Sequence, residues 1–217
     1  MDGKLVTLEG VSGIGKSFYF GKLEKINSNE NLIFNKEITN GVHYGINQKI
    51  YEMLTSSDSP FFDAGNPKLE TLLIAAKQAN DEETFILPSL IKGKSVISDR
   101  GYDTICVLQG ILFSQKYGGN PLYYSQQLYE SLSLFNRVPD KTILLTGDTD
   151  SAIMRAEIRN GKEYTEEEKR FLKLSAKLWL KHAAMHQERF EIIDVDEGYD
   201  KTIKQLRRVI KKEGIEL

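Results

Sequence analysis

The chain has little of what secreted or membrane proteins need. Cys106 is the single cysteine among 217 residues, so no disulfide can form within the chain and a reducing compartment fits. No apolar run approaches the ~18 residues of a membrane-spanning helix. The opening MDGKLVTLEG has no apolar stretch of signal-peptide length. Together these absences point to the cytoplasm. Neither sign of charge is in excess: 29 Lys and Arg against 31 Asp and Glu give a net charge of −2. No basic run is long enough to track a nucleic-acid backbone, so nucleic acid is not an expected partner. The 40% hydrophobic and 28% charged content is ordinary for a soluble globular chain. The length suits one well-packed domain covering residues 1–217.

What is present is alternation. Short apolar runs at Lys4–Glu9, Asn31–Glu37, Lys94–Ser98, Asp140–Thr146 and Phe190–Val195 read as five buried strands. Helical spacing separates them, from KSFYFGKLEKI near the start to DKTIKQLRRVIKK near the end. The long pattern KLETLLIAAKQANDEETFILPSLIKG contains Pro88, which predicts a bend or interruption near that residue. Gly161 is placed to cap TDSAIMRAEIRNG. Thr165 with Glu168 three residues later predicts a capping box at the next helix. Strands alternating with helices predict an α/β fold whose parallel sheet is covered on both faces.

Gly10, Gly15, Lys16 and Ser17 form G-x-x-x-x-G-K-S between a strand and a helix. Glycines there let the backbone approach phosphates, and the loop amides and helix N-terminus bind anionic oxygens. Lys16 is expected on the β- and γ-phosphates and Ser17 on Mg²⁺. Asp99 and Arg100 end the third strand in VISDRG. A carboxylate there can act through Mg²⁺ or orient the attacking oxygen, and an arginine can clamp phosphate with two parallel bonds. An exposed strand-end ion pair is the bland alternative, and the loop in the same chain favours function. Arg155 and Arg159 lie four apart on one helix face before a glycine. That suits a mobile lid over about 156–168, or simply a solvated basic face.

Weaker features read as structure. His182 and His186 have metal-compatible spacing but no third ligand is apparent. Cys106 reads as a small buried residue, PLYYSQQLYESLSLF as core or dimer face, and RRVIKK as a solvated helix face.

In order along nearly the whole chain, VTLEGVSGIGKS, LLIAAKQ, VISDRGYDTICVLQG, PDKTILLTGDTDSAIMRAEIRNG and FEIIDVD resemble the motifs of thymidylate kinases, a group of P-loop nucleoside-monophosphate kinases. The resemblance implies a P-loop NTPase three-layer sandwich with a five-stranded parallel sheet and a short lid. It also implies γ-phosphoryl transfer from ATP, with Mg²⁺, to a nucleotide 5′-phosphate, dTMP first among candidates, in a homodimer. ATP would be held by Gly13, Ile14, Gly15, Lys16, Ser17, Phe18, Arg155 and Asp196. Lys16, Asp99, Arg100 and Arg159 would serve catalysis, and Ser17 and Asp99 the metal. Ser12, Lys36, Ile74, Gln78, Arg100 and Gln109 would meet the acceptor.

The acceptor half departs from that pattern. Ser12 stands where the family usually carries a carboxylate that fixes the acceptor's sugar. Lys36 and Ile38 replace the arginine and proline of its Arg-Glu-Pro segment. Ile74 stands for the phenylalanine that stacks on thymine, and Gln78 for the arginine that reads its carbonyl edge. Gly101 takes the place of a tyrosine, with Tyr102 one position later. A same-fold kinase for another nucleotide or nucleoside, or an ATP-binding regulatory protein, are the alternatives these changes keep open.

Overall fold

The computed structural model describes residues 3–36, 45–55 and 66–217. Five strands form one sheet: β1 (Leu5–Glu9), β2 (Leu32–Asn35), β3 (Ser95–Asp99), β4 (Lys141–Thr146) and β5 (Phe190–Asp194). All pairings are parallel, in the order β2-β3-β1-β4-β5. β1 is buried along its whole length, and β3 and β4 along their centres, so helices cover both faces. The alternation read from the sequence is therefore a doubly wound α/β sheet. β1 lies between β3 and β4, with Leu8 level with Asp99 on one side and Ile143 on the other. The chain leaves β1 toward one edge of the sheet and returns past it to the other, which opens a crevice at the strands' carboxyl ends.

The helices are α1 (Lys16–Ile26), α2 (Ile46–Leu54), α3 (Pro67–Asp81), α4 (Leu87–Ile91), α5 (Tyr102–Tyr117), α6 (Pro121–Leu132), α7 (Thr149–Asn160), α8 (Glu166–Met185) and α9 (Tyr199–Lys212). Leu8, Ile97, Ile143, Leu144, Trp179 and Leu206 belong to the main core, and Leu5, Ile86, Leu90 and Val96 form a smaller cluster. The capping box at α8 is present: Thr165 Oγ accepts from the Glu168 amide at 3.2 Å, and the Glu168 carboxylate accepts from the Thr165 amide at 2.6 Å. Gly161 closes α7 with φ 63°.

The long helical pattern is interrupted before Pro88. A π-helical turn at Glu82–Ile86 joins α3 to α4. Pro88 has no N–H for the residue four back and its ring crowds that carbonyl, and a widened turn accommodates both. The aromatic stretch is divided: Ser125 and Leu132 are buried, while Tyr123, Leu134 and Phe135 are exposed. Ile38, the proline substitution noted above, lies outside the described residues.

Candidate active site

β1 runs straight into the phosphate loop. A Cβ on Gly10 would lie 2.5 Å from the Leu145 carbonyl oxygen, and one on Gly13 would lie 1.9 Å from that of Ala152. The loop is thus pressed against β4 and α7 at distances only glycine permits, and both residues have positive φ. Lys16 is buried and its Nζ donates to the Gly10 and Val11 carbonyls, at 2.9 and 2.8 Å. Ser17 Oγ donates to Asp99 Oδ2 at 3.0 Å, joining the start of α1 to the end of β3. A hydroxyl and a carboxylate are hard oxygen donors of the kind Mg²⁺ takes while substrate phosphates fill its other positions. Among the described residues, no group of three His, Cys, Asp or Glu could hold a metal without such phosphates.

After Asp99 the chain turns sharply. Arg100 has φ 70°, the one positive value among described non-glycine residues. Its amide donates to the Leu8 carbonyl at 3.1 Å, and its Nη1 to the Gly10 carbonyl at 3.3 Å. Beneath the turn lies Glu9, fully buried at the end of β1. Its Oε1 accepts from the Gly101 amide at 2.9 Å and its Oε2 from Thr104 Oγ1 at 2.5 Å. Burial, with Asp103 nearby, pushes the Glu9 carboxyl up to about 8, while the Thr104 hydrogen bond, Arg100 and Lys16 pull it down.

These elements open onto a cavity of about 1040 Å³. Of the residues expected from sequence, Ser12, Gly13, Gly15, Lys16, Ser17, Phe18, Lys36, Ile74, Gln78, Asp99, Arg100, Gln109, Arg155 and Arg159 line it. Ile14 and Asp196 do not. The Ile14 side chain is buried in the main core, and the Asp196 carboxylate accepts from the Asp148 amide at 2.5 Å, at the turn between β4 and α7.

The acceptor wall comes from α3 and α5. Glu70, Ile74, Lys77 and Gln78 share the cavity face of α3 at helical spacing. Gln109 is buried on α5, where its amide donates to Glu70 at 3.2 Å and accepts from Thr71 at 3.0 Å. Lys77 pairs with Asp81 at 2.5 Å, and Asn47 of α2 donates to the same carboxylate at 2.6 Å. Lys36 lines the opening, its ammonium 3.3 Å from Glu24. Tyr102 is turned away into the core, where its hydroxyl donates to the Tyr129 carbonyl.

α7 brings both arginines over the phosphate loop. Arg155 Nε donates to the Gly13 carbonyl at 2.9 Å, and Arg159 Nη2 to Ser12 Oγ at 3.0 Å. Residues 156–168 comprise the end of α7, the Gly161 turn and the first turn of α8.

His182 is not arranged for metal. It is fully buried, with Nε2 2.8 Å from Asp103 Oδ1 and Nδ1 3.2 Å from Ser125 Oγ. Asp103 also accepts from both Arg189 Nη atoms, at 2.8 and 2.6 Å, and from Thr142 Oγ1 at 3.0 Å. These donors hold its carboxyl well below the usual range against the opposing effect of burial. Cys106 is fully buried and burial pushes its thiol up, the opposite of a reactive nucleophile. Sequence reasoning missed Glu9 and Asp103. Glu9 had a signal: it is a carboxylate ending an otherwise uncharged run, Leu5–Leu8, beside the phosphate loop. Asp103 had none, because its partners lie 79 and 86 residues away.

The sequence profile described as "Thymidylate kinase" matches residues 8–206. The chain is 34% identical over 214 residues to a probable thymidylate kinase of Methanosarcina barkeri, covering 98% of this chain and 96% of that one. It is 30% identical over 210 residues to a probable thymidylate kinase of Methanococcoides burtonii, with 97% of each covered. In fold it is similar to the crystal structure of thymidylate kinase from Ehrlichia chaffeensis, with a TM-score of 0.66 and 18% identity over 97% of this chain and 99% of that one. A phosphate loop, an Asp-Arg turn and an α3 wall on one cavity, with the profile spanning most of the chain, give its kinship: the chain belongs to the thymidylate kinase family.

Proposed function

We propose that this kinase of thymidylate-kinase type passes the γ-phosphoryl group of ATP to the 5′-phosphate of dTMP, giving the diphosphate. The carrying observation is that one cavity is lined by Lys16 and Ser17, by Asp99 and Arg100, and by the α3 wall from Glu70 to Gln78. Lys16 would leave its two carbonyls for the β- and γ-phosphates. Arg100 would bridge donor and acceptor phosphates. Arg155 would lie near the adenine of ATP, and Arg159 would come in as residues 156–168 close as a lid and exclude water. Ser17 and Asp99 would hold Mg²⁺, which when bound neutralises charge on the phosphates.

The acceptor's base meets Ile74 and Gln78. An isoleucine offers no stacking face, and an amide both donates and accepts. We therefore assign dTMP weaker binding than the family's usual Phe and Arg would give. The homodimer implied by the resemblance would cover exposed Tyr123, Leu134 and Phe135 of the aromatic stretch.

The test is ADP release with Mg·ATP over a panel of nucleosides and monophosphates. dTMP-dependent release with a weak dTMP KM is expected. A low-micromolar dTMP dissociation constant with full turnover would remove the weak-binding assignment. No acceptor-dependent release from any member would favour a regulatory ATP-binding role.

A further inference from the structure

We infer that Glu9 is a positioning residue, a buried clasp that fixes the Asp99–Arg100 turn against the phosphate loop. The inference rests on the kinase reading above, because the turn matters only if phosphoryl transfer occurs there.

Glu9 closes β1, and Gly10 opens the phosphate loop. Whatever Glu9 grips is therefore held at fixed distance from that loop. It grips two points after the turn: the Gly101 amide through Oε1 and the Thr104 hydroxyl through Oε2. Gly101 directly follows Arg100 and Thr104 is in the first turn of α5, so the two bonds bracket the path from Arg100 into the helix. Arg100 itself occupies a backbone region that residues other than glycine rarely adopt. Such a conformation persists only when the surroundings hold it from several sides. The Leu8 carbonyl holds the Arg100 amide before the turn, and Glu9 holds the residues after it.

Gly101 fits the same arrangement. A Cβ there would lie 2.9 Å from Thr7 Cγ2 and 3.9 Å from Glu9 Oε1. Thr7 cannot yield easily, since its hydroxyl is 3.1 Å from that of Thr142 and its side chain is buried. A side chain at position 101 would thus lift the peptide off the Glu9 carboxylate. The glycine that replaces the family's tyrosine is what lets the amide reach Glu9 here.

Glutamine at position 9 keeps the volume and one carbonyl oxygen, enough for the Gly101 amide. Its NH₂ then faces Thr104 Oγ1, which already receives Arg100 Nη1 at 3.4 Å. That hydroxyl has two acceptor lone pairs and takes both donors, so the Thr104 arm is kept with its direction reversed. Thr104→Val removes that arm with little change in volume.

The test has an arm that needs no substrate and one that does. Amide exchange is measured over residues 100–104 in the unliganded wild type, Glu9→Ala, Glu9→Gln and Thr104→Val. Glu9→Ala should lose protection at Gly101 by tenfold or more, while Glu9→Gln keeps it. Steady-state kinetics use the panel's best acceptor. Thr104→Val should lower kcat about tenfold and Glu9→Gln less than threefold, with KM for ATP changed less than threefold in both. The double variant should be no slower than Thr104→Val, because the arm that position 9 makes to Thr104 is already gone there. Unchanged Gly101 protection in Glu9→Ala overturns the inference. So do kcat losses that multiply in the double variant, or a shift in ATP KM that accounts for the whole effect. If the Glu9 variants fail to fold, Thr104→Val alone decides: wild-type kcat in that variant overturns the clasp. A wild type with no acceptor-dependent turnover defeats the kinase reading, and the exchange arm still judges whether Glu9 holds the turn.

Discussion

Arg159 reaches back across the fold from the last turn of α7 to donate to Ser12 of the phosphate loop, Nη2 to Oγ at 3.0 Å. The acceptor of this bond is neutral, so release of the guanidinium toward a phosphate breaks no ion pair. A carboxylate at position 12 would hold Arg159 more firmly and could also bind a sugar hydroxyl of the acceptor. Hydrogen bonds to charged groups contribute about 1.5–3 kcal/mol. Ser12→Asp is therefore expected to lower the dTMP KM roughly tenfold while kcat does not rise. Steady-state kinetics check this, and an unchanged dTMP KM would mean that position 12 does not meet the sugar.

Lys16 Nζ is bonded to two carbonyls of its own loop. Those bonds keep the ammonium inside the cavity. Lys16→Ala should abolish measurable turnover, a loss of about 100-fold or more for an electrostatic group of this kind. The fold should survive, since Gly10 and Gly13 keep their packing against β4 and α7. Turnover near the wild-type rate in a folded Lys16→Ala would mean the phosphate site lies elsewhere.

Ile74 and Gln78 are one helical turn apart on the cavity face of α3. Ile74→Phe restores a stacking surface, an effect on the order of 1–3 kcal/mol per base. Adding Gln78→Arg restores a cation beside the base edge. The double variant should bind dTMP roughly 5- to 150-fold more tightly, with little change for ATP. Isothermal titration against both nucleotides decides; equal gains for ATP and dTMP would show a general change in the cavity and not a base-specific one.

The carboxylate of Asp103 is fully buried and receives donors from His182, Arg189 and Thr142. Removing one partner of such a buried pair leaves an uncompensated charge, which costs about 3–5 kcal/mol. Arg189→Met should therefore lower the urea midpoint severely. Asp103→Asn should do the same, because the Arg189 charge would then lie buried with no anion. The double variant should be less damaged than the sum of the two. Additive losses in a denaturation cycle would mean that the two residues do not act as a pair.

The half of the site built from contiguous sequence was legible in it. Gly10, Lys16 and Ser17 fall within one loop, and Asp99 with Arg100 in one turn, so strand and helix patterns sufficed to place them. The five strands were legible for the same reason: β1, β3 and β4 are buried along most of their length, and the edge strands β2 and β5 are still short, mostly apolar runs between helical patterns. What escaped were contacts between distant elements. Glu9 looks like an ordinary strand-end charge until Gly101 and Thr104, 92 and 95 residues on, are folded over it. The Lys77–Asp81 pair lies within one helix, but Asn47 joins it only through the packing of α2 on α3. The bend expected near Pro88 is there, as a π-turn at Glu82–Ile86, because the strain of a proline is relieved in the turn before it.

Stability should depend on pH through two groups shifted in opposite senses. Burial, together with His182 and Arg189, lowers His186 from 6.5 to about 4, on a ring stacked 4.0 Å from Tyr129. Its uncharged form is the folded one, so its contribution is full above pH 6.5 and is lost as pH falls toward 4. Glu9 is raised from 4.5 to about 8 by burial and Asp103. The folded chain therefore holds a proton that the unfolded chain has released, and stability declines as pH rises from 4.5 toward 8. Each effect is at most about 1.4 kcal/mol per pH unit, and less for His186, which is only half-buried. Between 4.5 and 6.5 the two slopes oppose each other, and above 6.5 Glu9 acts alone. Urea midpoints should thus be nearly flat across the lower interval and fall across the upper one. Glu9→Gln should remove the upper decline, and His186→Gln should turn the flat interval into a rise toward acid. A wild-type midpoint that climbs steadily from pH 6.5 to 8 would contradict a protonated Glu9 in the folded state.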